Sequence, residues 1–298
     1  MKDVATLPMP DAGRASAFAD YVALTKPRLN FLVVATSAAG YYLGAAGTTD
    51  LISMAEAVTG TALVAGGAAA LNQLYERDTD ALMRRTRLRP LPAGRVAPAD
   101  ARMFGIALSA AGLVLLAARA NWLSMALALA TLVTYLAIYT PMKRRTPLST
   151  IVGAVPGALP ALIGWAASRG RIDLGGAALF AIVFCWQLPH FMAIAWLYRD
   201  DYAKAGFPML PVIDPDGTRA GKQALYWSVL LVLASVAPVY TGLAGSFYLA
   251  VALVLSAALF ALSVRFAVAR NESTARALFY GSITYLPLLW IAMIGNKL

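Results

Sequence analysis

Residues 59–90 read TGTALVAGGAAALNQLYERDTDALMRRTRLRP. From Thr59 to Leu71 the stretch has no ionisable side chain. From Asn72 it turns ionic: Glu76, Asp78 and Asp80, then arginines at 84, 85, 87 and 89. A surface helix of a soluble domain interleaves polar and apolar residues every three to four positions. A helix that is apolar for several turns and ionic only at its end is instead one that leaves a bilayer.

The whole chain fits this reading. Of its 298 residues 60% are hydrophobic and 13% charged, against roughly 25% charged in soluble domains, and the mean hydropathy is +0.66. A hydrocarbon core of about 30 Å needs about 20 mostly apolar residues per helix. Nine stretches qualify, at 30–48, 51–74, 101–119, 121–140, 148–167, 173–197, 223–243, 246–268 and 274–295. The expectation is an all-α polytopic membrane protein with nine transmembrane helices. Residues 1–20 are expected to form a mobile N-terminal tail without the apolar run of a signal peptide, and 21–298 a single intramembrane domain.

Charge distribution sets the expected orientation. With the N-terminus inside, every one of the 25 basic residues except Arg119, Arg169, Arg171 and Lys297 falls in a cytoplasmic segment. Such a bias predicts an inside N-terminus and an outside C-terminus. It also accounts for the net charge of +10 without nucleic acid, since a basic cytoplasmic face suits anionic lipid or an anionic substrate. Outer connections are short, whereas inner ones, near 75–100 and 198–222, are long and charged, which places function on the inner side. The single Cys185 excludes an intrachain disulfide and reads as a packing residue.

At 100° per residue Asn72, Glu76 and Asp80 fall within an arc of about 80°, one turn apart, with Asp78 roughly opposite. Two carboxylates and an amide oxygen on one face make a poor zinc site and a good partial shell for Mg²⁺, which takes further ligands from water and phosphate. Polarity inside the apolar stretch is costly unless used, which favours function at Asn72. Arg84, Arg87 and Arg95 are equally explained as topogenic charges.

Five separated motifs then resemble one family. They are N-x-x-x-E-R-D-x-D-A-x-M-x-R-T-x-x-R-P-L from Asn72 to Leu91, LTKPR at 24–28, YTPMKRRTPLSTIVGAVPGALPALIGW at 139–165, WQLPHF at 186–191 and YRDDYAKAGFPMLPV at 198–212. Taken in their order along the chain they are similar to the protohaem IX farnesyltransferases, or haem O synthases, among the UbiA-type intramembrane prenyltransferases. The resemblance implies helices surrounding a central substrate cavity that opens near the cytoplasmic side of a bacterial inner membrane. It also implies the reaction: farnesyl diphosphate alkylates a vinyl group of haem B, water is added, and haem O and pyrophosphate result. A haem A synthase or a terminal oxidase is the expected assembly partner.

The resemblance assigns Asn72, Glu76 and Asp80 to Mg²⁺ and Arg85 and Arg89 to the diphosphate, with Lys143 and Arg144 closing the clamp. A second metal is less supported, because Asp200 and Asp201 are adjacent and point about 100° apart on a helix; Asp200 is the residue that would bind one through water. His190, the only histidine, is expected to meet haem or to be a buried hydrogen-bonded residue, with Trp186 beside it and Arg28, Lys26 or Arg199 as propionate partners. Competing readings are a prenyltransferase with a quinone precursor or chlorin as acceptor, a transporter, and a non-catalytic haem-handling protein.

Overall fold

The structure, a computed structural model, describes residues 16–298. Residues 1–15, most of the expected tail, lie outside the described residues. Ser16 caps a short helix α1 (Ala17–Leu24), its Oγ accepting from the Ala19 N–H. The final residues of the expected tail are thus helical, and buried Asp20 is held by Arg95 Nε at 2.9 Å.

The remaining long helices are α2 (Pro27–Gly44), α3 (Leu51–Asp80), α4 (Pro98–Arg119), α5 (Trp122–Met142), α6 (Ser149–Arg169) and α7 (Leu174–Leu197). After two short helices, α8 (Arg199–Lys204) and α9 (Leu210–Ile213), come α10 (Thr218–Tyr240), α11 (Ser246–Ala269) and α12 (Glu272–Gly295). Among the described residues eight helices, α3 to α7 and α10 to α12, are long and apolar enough to cross a membrane. The ninth expected span corresponds to α2, whose 18 residues extend about 27 Å. Its polar start at Arg28 and Asn30, and the tyrosines near its end, separate it from the eight by composition. No named β-strand occurs among the described residues. The chain is an integral membrane protein of all-α architecture.

With lipid outside, helices gain little from apolar contact and associate through close packing of small residues. Gly60 and Gly67 of α3 face Gly112 and Gly105 of α4 so closely that a Cβ on Gly112 would lie 2.6 Å from the Gly60 carbonyl oxygen. In the same way Gly40 of α2 and Gly164 of α6 abut each other's backbones, at Ala161 and Ser37. These crossings bring α2, α3 and α6 around one chamber.

Lys26 and the C-terminal end of α3 mark one end of the bundle. The opposite end is fastened at the C-terminus of α2, where Lys297 Nζ donates to the Tyr42 and Ala45 carbonyls, each at 2.7 Å, and Arg169 Nε donates to the Gly44 carbonyl at 2.6 Å. Cations satisfying the last carbonyls of a helix also complement its dipole. Lys297→Ala is expected to destabilise the protein by about 1–2 kcal/mol while leaving turnover unchanged, read as a lower thermal midpoint in detergent with wild-type activity.

Candidate active site

The stripe at the end of α3 forms as the helical period dictates. Asn72, Glu76 and Asp80 are 1%, 4% and 1% exposed, whereas the Asp78 side chain is 79% exposed and pairs with Arg77. At about 1.5 Å per residue the 30 residues of α3 run about 45 Å, some 15 Å more than the hydrocarbon core. The helix stops at Asp80 because the chain turns back on it: the Thr86 hydroxyl donates to the Asp80 carbonyl at 2.8 Å.

Each of the three oxygen-bearing groups holds one cation. Lys26 Nζ donates to Asn72 Oδ1 at 2.9 Å, Lys143 Nζ to Glu76 Oε1 at 2.7 Å, and Arg89 to Asp80 Oδ2 at 2.7 Å. These cations come from three different parts of the chain. Lys26 sits at the junction of α1 and α2 with φ 49°, a left-handed conformation that is strained for a non-glycine residue. Pro27 begins α2 immediately after it, and the strained turn between the two helices aims the ammonium at α3. Burial and the neighbouring charge of Arg89 lower the Lys26 pKa to about 7.

Behind this polar end lies a cavity of about 410 Å³, in the size range of small-molecule sites. Asn72, Glu76, Asp80, Arg85, Arg89, Lys26 and Lys143 line one part of it, and residues such as Val33, Ala65, Ala69, Pro156, Pro160 and Phe191 form the apolar remainder. The two long inner loops meet there. Met83 of the first packs with Phe207 and Met209 of the second in a buried apolar cluster, and Met83, Tyr202, Phe207 and Met209 all line the cavity.

Helix α5 opens into a π turn at Thr134–Tyr139, just before Pro141, which has no N–H to donate to the preceding turn. Tyr135 and Tyr139 stack at 5.5 Å and both line the cavity. Lys143 Nζ lies 5.4 Å from the Tyr139 ring centroid and 5.1 Å from that of Phe207.

His190 also lines the cavity, and α7 carries it without interruption through Pro189. Its ring is held between Trp186 at 5.3 Å and Phe279 at 5.1 Å. The Ser282 hydroxyl donates to the Phe279 carbonyl at 2.7 Å, so at 2.8 Å from His190 Nδ1 it accepts the ring proton. Nε2 is then the nitrogen with the free lone pair.

Several expected site residues are not brought to the cavity. Arg144 is exposed, because one residue after Lys143 it faces roughly 100° away. Arg28 is exposed at the start of α2. Arg199 lies over Trp196 at 4.8 Å, and Trp186 is buried behind His190 with Nε1 donating to the Ser282 carbonyl at 2.7 Å. Asp200, the candidate for a second metal, has a side chain 76% exposed; its neighbour Asp201 turns inward, 6% exposed, with Arg84 3.6 Å away. Neither acid lines the cavity. Tyr202, Phe207, Met209 and Thr140 escaped sequence reading, since only the return of a distant loop or the π turn gives them a role. Lys26, named from LTKPR as a propionate partner, is instead aimed at Asn72 Oδ1 at the polar end of the cavity.

The donor set fits a hard divalent cation. Among the described residues no group of three or more His, Cys, Asp or Glu side chains is placed to hold a metal. Two carboxylates and one amide oxygen along a single helix face nevertheless match the oxygen preference of Mg²⁺, which leaves positions to water and phosphate. The three cations now on those oxygens occupy the electrostatic place of such an ion.

An apolar chamber inside a membrane bundle, ended by buried oxygen donors and basic side chains, defines an intramembrane site for a molecule with a hydrocarbon body and a strongly anionic head. Residues 33–291 match the UbiA prenyltransferase family, and the chain belongs to that family. It is 44% identical over 287 residues to a protoheme IX farnesyltransferase of Solibacter usitatus, covering 93% of this chain and 98% of that protein. With a protein of the same name from Koribacter versatilis the identity is 42% over 301 residues, covering 98% and 97%. The fold is shared with a digeranylgeranylglyceryl phosphate synthase, at TM-score 0.79 and 17% identity over 94% of this chain and 98% of that one. It is shared also with a UbiA homolog from Archaeoglobus fulgidus bound to GPP and Mg²⁺, at TM-score 0.63 and 17% identity over 92% and 99%.

Proposed function

We propose that this protein transfers the farnesyl group of farnesyl diphosphate to a vinyl group of haem B, with addition of water, forming haem O and releasing pyrophosphate. The observation that carries this reading is the meeting of buried Asn72, Glu76 and Asp80 with Lys26, Lys143 and Arg89 at one end of an apolar cavity. Near full-length similarity to proteins named protoheme IX farnesyltransferase supports the choice of acceptor.

In this reading the farnesyl chain lies along the apolar wall and its diphosphate faces the basic cluster. Asn72, Glu76 and Asp80 would hold Mg²⁺, which would supply Lewis-acid stabilisation of the leaving diphosphate. Lys26, Arg89 and Lys143 exchange their carboxylate and amide partners for phosphate oxygens, with Arg85 alongside. As the C–O bond breaks, its electron pair leaves with pyrophosphate. The vinyl π electrons form the new C–C bond, water adds to the resulting cation, and a proton is released. The faces of Tyr135 and Tyr139 shield positive charge at the allylic carbon, and Met83, Phe207 and Met209 exclude bulk water from the ionising bond.

His190 contacts the haem through Nε2, the nitrogen left unprotonated by the Ser282 bond. His190→Ala is expected to change the absorption spectrum of bound haem B; an unchanged spectrum removes iron ligation. The N-terminus lies on the cytoplasmic side of a bacterial inner membrane and the C-terminus outside, in line with the basic residues at the cavity end. The deciding experiment incubates purified protein with farnesyl diphosphate, haem B and Mg²⁺. A haem of higher mass with stoichiometric pyrophosphate is expected; a quinone precursor or chlorin accepting the group in place of haem would refute the assignment of acceptor.

A further inference from the structure

Thr140 is 1% exposed and lies in no motif position to which a ligand was assigned. Its hydroxyl donates to the Tyr135 carbonyl at 2.7 Å, the carbonyl that also receives the Thr140 N–H across the π turn. A hydroxyl has one proton. With that proton committed, Oγ1 can only accept, and the partner it accepts from is Asn72 Nδ2 at 3.1 Å.

The consequence falls on the amide. With Nδ2 committed to Thr140, Asn72 must direct Oδ1 the other way, where Lys26 Nζ meets it at 2.9 Å. Two contacts therefore define the amide orientation. If a cation takes the Oδ1 position, the Lys26 contact is lost and Thr140 alone prevents a flip that would present NH₂ to the ion. Glu76 and Asp80 need no such guard, because both oxygens of a carboxylate accept.

Resting on the assignment of Asn72 to the metal in the proposed function, we infer that Thr140 is a positioning residue that fixes the Asn72 amide with its oxygen toward the divalent cation. The π turn places Thr140 there, so the register shift before Pro141 serves the metal site as well as the tyrosine pair. Groups that orient a metal ligand typically matter by about 10–100-fold in metal affinity.

The test measures binding of Mn²⁺ by electron paramagnetic resonance in the presence of inorganic pyrophosphate, without haem. Thr140→Val keeps shape and removes the acceptor, and the Tyr135 carbonyl retains the backbone N–H; it is expected to weaken Mn²⁺ binding about tenfold or more. Thr140→Ser keeps the hydroxyl and is expected to stay within about twofold of wild type. In an Asn72→Asp background, where there is no amide to flip, Thr140→Val is expected to have no further effect. Wild-type affinity in Thr140→Val, an equal loss in Thr140→Ser, or a full loss persisting beside Asn72→Asp each overturns the inference. Should the valine variant fail to fold by circular dichroism, Thr140→Ala carries the same comparison. If Asn72→Ala itself binds Mn²⁺ as wild type does, the metal assignment fails; if Asn72→Ala is impaired and Thr140→Val is not, only the role of Thr140 fails.

Discussion

Glu76→Gln is expected to lower turnover about a thousandfold, the scale set by removing charge stabilisation aimed at a developing anion. It is also expected to destabilise the unliganded protein by about 3–5 kcal/mol, the usual consequence of leaving one member of a buried ion pair without its partner. The side chains of Glu76 and Lys143 are 5% and 14% exposed and meet at 2.7 Å. With the carboxylate neutralised, the ammonium keeps at best a neutral amide oxygen in place of its counter-charge, beside the faces of Tyr139 and Phe207 more than 5 Å away. The two effects separate in a second variant. Adding Lys143→Met removes the stranded charge, so the double variant regains most of the thermal midpoint while turnover stays at least as low as in Glu76→Gln. Equal midpoints for Glu76→Gln and wild type would show that the pair contributes nothing to the unliganded fold. Retained turnover would remove Glu76 from the chemistry.

Gly164→Val is expected to cost about 3 kcal/mol or more, at the upper end for overpacking, and to abolish activity without touching the cavity. The added carbon meets the Ser37 carbonyl of α2, which is backbone and has no rotamer to yield. Separating α6 from α2 shifts the helix that begins at Pro27, directly after Lys26, and the Lys26 ammonium then no longer reaches Asn72. The matched control is Gly295→Ala at the end of α12, where an added Cβ meets nothing within 4 Å; it is expected to keep wild-type stability and activity. Thermal midpoints by light scattering in detergent, with product formed from farnesyl diphosphate and haem B, test both variants. A Gly164→Val protein as stable as wild type would mean that the α2–α6 crossing is looser than its geometry requires.

Much of the site was legible because it follows the helical period. Asn72, Glu76 and Asp80 share a face at four-residue spacing, and the structure buries all three while exposing Asp78. The cations were less legible. Of the neighbouring pair Lys143 and Arg144 only Lys143 reaches α3. Of Asp200 and Asp201 the inward residue is Asp201. Adjacent residues on a helix point about 100° apart, so which one faces inward depends on how the helix is rotated against its neighbours, a property of packing and not of local sequence.

By itself the sequence determined the quantities that depend on neighbours along the chain. Apolar runs long enough for a bilayer, the bias of basic residues to one side, and the acidic stripe at the end of α3 all follow from composition and the 3.6-residue repeat. Only tertiary structure decided which cation meets which oxygen, that Met83 and Phe207 close one end of the cavity, and that Thr140 orients Asn72. Asn72 and Thr140 are 68 positions apart. Their contact exists because small residues let the helices approach closely and because a π turn before Pro141 shifts the register of α5.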